Sequence, residues 1–551
     1  MTAEARTDGE VGDRAALLAT LVAASVILGL ACVITDLGGW DETSYLTRGE
    51  ALLTTKPLAD FAPLYSFFYW VVDLVVRDPV GLYFTGFFLV ELLLVAACYA
   101  ALRGLGLSPA LAGLAALCLI NIAGRFQPRP GHLVVVIVLG ALCIARRRPS
   151  AAQGCVLLGL AATIAAYMRP EFGLTALLIG ALTVALLART IWRQRGFAGS
   201  LPELAGAALW IGAAAALVAM FGSPFGQRSV TAFGSHFALH YLAWTGSGVE
   251  RWMNWETIYR DVFHDAPSVF QALETNPVLF LRHVLANIGE FPARFAALLL
   301  GYGVDFVPRS GTMILLGGAV GGVLLVVSAV GLLRGVVFRP RLSRPLLACL
   351  AAFILPGLIS VAVIYPHFHY MLPLCVFCLM FGLATLRPRL EGPAPKPVFA
   401  VLATYLLLYT MAIAWDAGRV LMGDAEFTAN ALPRRTLVAA IGGLGVTAPV
   451  QLLEDVGDVA AYLPPNFHWV SGEYKSGAFD DYAREHAVNM IVLDPLLLGD
   501  QRFLADPEWL GLLADPEQAG WRVIVVPRTD FRLLVRPSLL PGGSETGRTG
   551  S

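Results

Sequence analysis

Apolar residues along this chain do not alternate with polar ones over most of its length. They gather in long unbroken runs separated by short polar stretches. A helix needs about 20 apolar residues to cross a hydrocarbon core of about 30 Å. Eleven runs approach that length: 15–36, 79–102, 107–124, 130–146, 152–168, 171–189, 203–222, 311–334, 345–365, 367–386 and 397–416. The pattern predicts a mainly α polytopic membrane protein with about 11 transmembrane helices. The first run is too long and too uniformly apolar for the core of a signal peptide, and no small-residue cleavage site follows it. It reads as a retained helix.

Basic residues orient the bundle. With the N-terminus cytoplasmic, the inner loops hold Arg103; Arg146, Arg147 and Arg148; Arg189, Arg193 and Arg195; Arg334, Arg339, Arg341 and Arg344; and Arg387, Arg389 and Lys396. The short outer loops hold only Arg125, Arg129 and Arg169. Residues 1–416 then form a transmembrane domain with two long outer loops, 37–78 and 223–310. Residues 417–540 form a small extracytoplasmic C-terminal domain. Short apolar stretches at 488–493, 521–526 and 531–535 predict strands there, and 477–487 and 506–513 predict helices, which makes that domain α/β. The Gly- and Ser-rich residues 541–551 read as a disordered tail.

Composition agrees with the runs. Of 551 residues, 57% are apolar and 14% are charged, against about 25% charged in soluble domains. The net charge of −1 leaves no global field for nucleic acid. The eight cysteines all lie in apolar stretches, so no disulfide framework is expected outside the membrane. The Ala-, Leu- and Arg-rich composition fits a high-GC bacterium, and hence a bacterial plasma membrane.

The outer loops carry the polar chemistry. The first opens with Asp41 and Glu42 directly after the first apolar run, followed by Tyr45, Arg48 and Lys56. On a helix starting near Asp41, positions 41, 45 and 48 share a face. Asp41 also suits a helix cap, and Glu42 a first turn. The aromatic stretch 62–70 predicts a helix lying in the interface. Arg129 follows in the second loop, Arg169 and Glu171 in the third, and His367 and His369 between the ninth and tenth runs. Arginines on the outer side suit a bound phosphate, or pairing with Asp41, Glu42 or Glu171. His367 and His369 are read first as packing residues, with a divalent metal shared with Glu171 as the other role; i, i+2 spacing disfavours a two-His site on a helix. No metal ligand set is assigned. The middle-loop aromatics Tyr241, Trp244, Trp252, Trp255 and Tyr259 are expected to anchor the protein in the interface.

Asp41-Glu42-x-x-Tyr45 after the first helix, the Pro63-Leu64 stretch, the long middle loop and the outer C-terminal domain together resemble the GT-C membrane glycosyltransferases. The likeness spans the helix layout and is greatest to the branch holding protein O-mannosyltransferases and the aminoarabinose transferase of lipid A. The chain departs from that pattern at Ala62-Pro63-Leu64, where relatives often carry a His-Pro-Pro-like element. It departs again at Gly131-His132, where many relatives carry an acid. The resemblance implies a polyprenyl-phosphate-linked sugar donor, a glycan, lipid or protein acceptor, and inverting transfer in contact with membrane lipids. Asp41 is then the expected base with Glu42 in reserve, and Arg48, Lys56, Arg129 and Arg169 the expected partners of the lipid phosphate. A transporter or lipid flippase is the alternative. It expects charges inside the spans, where Glu91 is the clearest one. The sugar and the acceptor are not legible from the residues.

Overall fold

The computed structural model describes residues 3–54, 61–123, 129–194, 200–225, 228–247, 252, 254–299, 343–390, 396–455 and 457–540. The first half of the chain runs through α1 (Ala3–Ile34), α2 (Asp41–Glu50), α3 (Pro63–Asp73), α4 (Pro79–Leu105), α5 (Pro109–Ala123), α6 (Pro130–Ala145), α7 (Ala151–Ala166), α8 (Phe172–Gln194) and α9 (Leu201–Phe221). It continues through α10 (Arg228–Thr245), α11 (Trp255–Phe263), α12 (Val269–Thr275), α13 (Pro277–Leu299), α14 (Arg344–Val363), α15 (Phe368–Leu390) and α16 (Lys396–Leu421). Ten of the eleven apolar runs are helices; the run 311–334 lies outside the described residues.

Six of these helices are long and apolar enough to cross a membrane: α1, α4, α8, α9, α14 and α16. The apolar parts of α5, α6, α7 and α15 are shorter. The expectation of a multi-pass helical bundle is met, and six of the expected spans reach full crossing length among the described residues. A 16-residue helix such as α7 reaches only about 24 Å at 1.5 Å per residue. Local sequence sets the ends. Asp78 caps α4 through Gly81 N with Pro79 in the first turn, and Gly106, at φ 96°, closes the same helix. Ser150 caps α7 through Gln153 N. Arg103 at the end of α4 pairs with Asp13 in α1 at 2.7 Å, which fixes those two ends on one side.

The stretch around residues 62–70 becomes α3, as expected, whose Tyr65 and Tyr69 are fully buried while Phe67 and Val71 stay exposed on its other face; Leu74 and Val75, just past its end, are exposed too. It is a packed element with one apolar outer face. The middle loop is mostly helical. Tyr259 is buried in a local core with Phe233, Phe237 and Phe263, so it packs the loop. α13 lies against α14 and α15 and exposes Val278, Leu281, Leu285 and Ile288, which recur at helical spacing as a lipid-facing stripe would.

The expected domain boundary at 417 falls inside α16, which continues to Leu421. After it come α17 (Ala425–Ala431) and α18 (Pro433–Gly443). They lead into a five-stranded sheet of β1 (Val450–Glu454), β2 (Phe467–Ser471), β3 (Met490–Leu493), β4 (Arg522–Val525) and β5 (Arg532–Val535), ordered β2-β1-β3-β5-β4. The first three pair in parallel and the rest antiparallel, with Leu452 opposite Met490 and Leu493 opposite Arg532. Three of the five strands match the apolar stretches read from sequence. Alternation divides the faces: Leu453, Ile491 and Leu534 pack on Phe479, Phe503 and Trp509. Val450, Leu452, Met490 and Leu533 pack on Leu437 and Ile441 of α18. The tail 541–551 lies outside the described residues.

Candidate active site

The acidic pair begins α2. Neighbouring residues on a helix point about 100° apart, so the two carboxylates part company. Glu42 turns inward and is fully buried. Its Oε1 accepts hydrogen bonds from Tyr65 Oη at 2.9 Å and from Tyr69 Oη. Burial raises its pKa to about 7, against the lowering pull of Arg129 and the two tyrosines. Asp41 turns outward, its side chain 46% exposed on the floor of a recess.

Three guanidiniums surround Asp41. Arg228 Nη2 donates to Asp41 Oδ2 at 3.0 Å and also to Tyr45 Oη. Arg129 Nη1 stands 4.0 Å from the same Oδ2. Arg169 adds a longer-range field and is held by Glu171 at 2.7 Å, with its guanidinium 4.6 Å over the Tyr370 ring. Desolvation disfavours the Asp41 charge, but Arg228, Arg129 and Arg169 outweigh it and lower the pKa. Among Asp41, Glu171, Arg129, Arg169 and Arg228, positive charge exceeds negative by one. Each cation comes from a different place: Arg129 precedes α6, Arg169 joins α7 to α8, and Arg228 opens α10.

Arg129 has a support of its own. Its backbone N–H lies 3.1 Å from His132 Nδ1, and His132 Nε2 lies 3.3 Å from Glu91 Oε1. Both side chains are fully buried. The charge inside α4 that suited a transporter thus faces a histidine that braces the recess.

The structure brings together Asp41, Tyr45, Arg129, Arg169 and Glu171 as the sequence suggests. Arg48 stacks 4.1 Å over Phe61, whose ring lies 5.8 Å from Tyr45 and 4.6 Å from the Arg228 guanidinium. Lys56 lies outside the described residues. His367 and His369 sit with their rings 4.3 Å apart, and each Nδ1 is buried without a hydrogen-bond partner. Burial, His236 and the nearby arginines lower the pKa of His367 to about 3. No group of three or more His, Cys, Asp or Glu among the described residues is placed to hold a metal.

Sequence reasoning missed Arg228, which follows α9 within the long middle loop, 187 residues from Asp41. Its only signal was a lone arginine opening a helix on the outer side. Trp252, expected as an interface anchor, instead packs against Trp40 at 5.6 Å and His236 at 5.6 Å beside the recess.

No family model matches this chain, and no curated protein matches it. Among solved structures it is similar to the archaeal oligosaccharyltransferase AglB from Archaeoglobus fulgidus, solved with an inhibitory peptide and a dolichol-phosphate. The similarity has a TM-score of 0.43 at 11% identity and covers 86% of this chain and 69% of that one.

Proposed function

We propose that this chain is an integral membrane glycosyltransferase that moves a sugar from a polyprenyl-phosphate donor to an extracytoplasmic acceptor with inversion. The observation that carries the reading is Asp41, an ionised and exposed carboxylate ringed by Arg129, Arg169 and Arg228 in a bundle of apolar helices. Such a site offers a base and an anion holder within one recess. The acceptor oxygen or nitrogen attacks the anomeric carbon, and the bond from that carbon to the phosphate oxygen breaks. Asp41 takes the acceptor proton as attack makes it acidic. The departing lipid phosphate gains charge, and the arginines stabilise it through paired N–H donors. The apolar helices suit the lipid tail.

Asp41 is the better base of the pair because Glu42 is buried and committed to Tyr65 and Tyr69. Tyr45, its pKa raised to about 12 by burial, serves as a neutral hydrogen-bonding partner of Arg228. The test gives purified wild type and Asp41→Asn a panel of radiolabelled polyprenyl-phosphate sugars, with membrane extract as acceptor, with and without EDTA. Label reaching the extract with wild type alone supports the reading and names the donor. Folded wild type that transfers from no donor refutes it and returns weight to translocation.

A further inference from the structure

The residue before Asp41 has an unusual backbone. Trp40 lies at φ 57°, ψ −122°, a left-handed conformation that a bulky side chain adopts only when its surroundings impose it. The surroundings here belong to the C-terminal domain. Trp40 N donates to Asp458 Oδ1, and Asp458 Oδ2 receives Arg434 Nη2 at 2.7 Å and Nε at 3.1 Å. A Cβ on Gly39 would come within 2.5 Å of the Asp458 carboxylate, so only glycine admits this approach. Asp36 accepts from Arg434 N at 3.0 Å and Arg435 N at 2.9 Å, capping the start of α18. Tyr462 Oη donates to Gly38 O at 2.7 Å. Glu454, at the end of β1, accepts from Val459 N and Ala460 N and fixes the turn that carries Asp458.

Asp36, Gly38 and Trp40 are thus each hydrogen-bonded to the C-terminal domain. We propose that this domain is a clamp on the catalytic loop, with Asp458 the positioning residue that holds Trp40 in its strained conformation and so aims Asp41 into the arginine recess. This rests on the reading of Asp41 as the base. A misplacement of about an ångström at a reacting group costs on the order of 10²-fold in rate.

The experiment uses full-length protein in detergent and compares wild type, Asp458→Ala and Asp458→Asn, which keeps an acceptor for Trp40 N. Two readouts are taken: transfer kinetics and hydrogen exchange of the peptide spanning residues 36–50. Asp458→Ala should lower kcat by about 10- to 100-fold with the donor KM little changed, and should speed exchange in that peptide while distant helices exchange as before. Asp458→Asn should recover most of both. Wild-type kcat in Asp458→Ala, or equal loss in Asp458→Ala and Asp458→Asn, overturns the clamp. Exchange unchanged by Asp458→Ala overturns it as well. Should wild type transfer from no donor, the reaction assignment fails, and exchange alone decides whether the clamp exists. If Asp458→Ala does not fold, Gly39→Ala supplies the same two readouts, with the same expected and overturning results.

Discussion

Removing Arg228 tests the electrostatics of the recess most directly. Arg228→Met keeps the apolar stem and deletes the guanidinium that donates to Asp41 at 3.0 Å. Two unit charges about 4 Å apart interact by about 4 kcal/mol at an effective dielectric of about 20, and by about 1 kcal/mol in water. Because the Asp41 side chain is 46% exposed, the lower part of that range applies, about 1–2 kcal/mol after screening. At 1.36 kcal/mol per unit this raises the Asp41 pKa by about one unit. The sign follows from the lowered pKa in the wild type: the base is ionised down to low pH, and losing a cation moves its protonation upward. The acid limb of the kcat/KM profile should therefore shift up by about one pH unit. A lost charge-assisted contact of about 1.5–3 kcal/mol should also raise the donor KM by about 10- to 150-fold. The assay is transfer of labelled sugar at saturating acceptor from about pH 3 to about pH 8, because the wild-type limb lies below the ordinary Asp value of about 3.9. An acid limb that stays in place in folded Arg228→Met refutes the assignment of Asp41 as the titrating base.

Glu42→Gln should leave the acid limb unmoved and retain kcat within about fivefold, since the amide can still accept from Tyr65 and Tyr69; a collapse like that of Asp41→Asn would transfer the base role to Glu42. The same substitution has a signature in stability. A buried carboxyl with its pKa raised to about 7 binds more protons folded than unfolded between about pH 4.3 and 7. Wild-type stability therefore falls as pH rises through that window, and the slope should flatten in Glu42→Gln by thermal unfolding in detergent. His132→Ala strips the Arg129 N–H of its acceptor and leaves Glu91 buried without its neighbour. It should cost on the order of 2–4 kcal/mol of stability, read as a lowered unfolding temperature, whereas Glu91→Gln should be much milder.

The apolar runs determined by themselves where ten of the described helices lie, because a span must satisfy its own backbone hydrogen bonds and cover them with apolar side chains. They also put Asp41 and Glu42 among the polar connections between helices, as they did Arg129 and Arg169. Three of the five strands were legible as short apolar stretches. β1 and β2 were not, since Gln451, Glu454, His468 and Ser471 break their runs and the parallel pairing between them joins segments well apart in sequence. The division of labour inside the acidic pair lay beyond sequence as well. Two adjacent helical carboxylates are equivalent until packing buries one against Tyr65 and Tyr69 and leaves the other open. Arg228 and Asp458 reach residues 40 and 41 across 187 and 418 positions of chain. No local pattern records such distances, because charge complementarity and clamp geometry arise only when the chain folds back on itself.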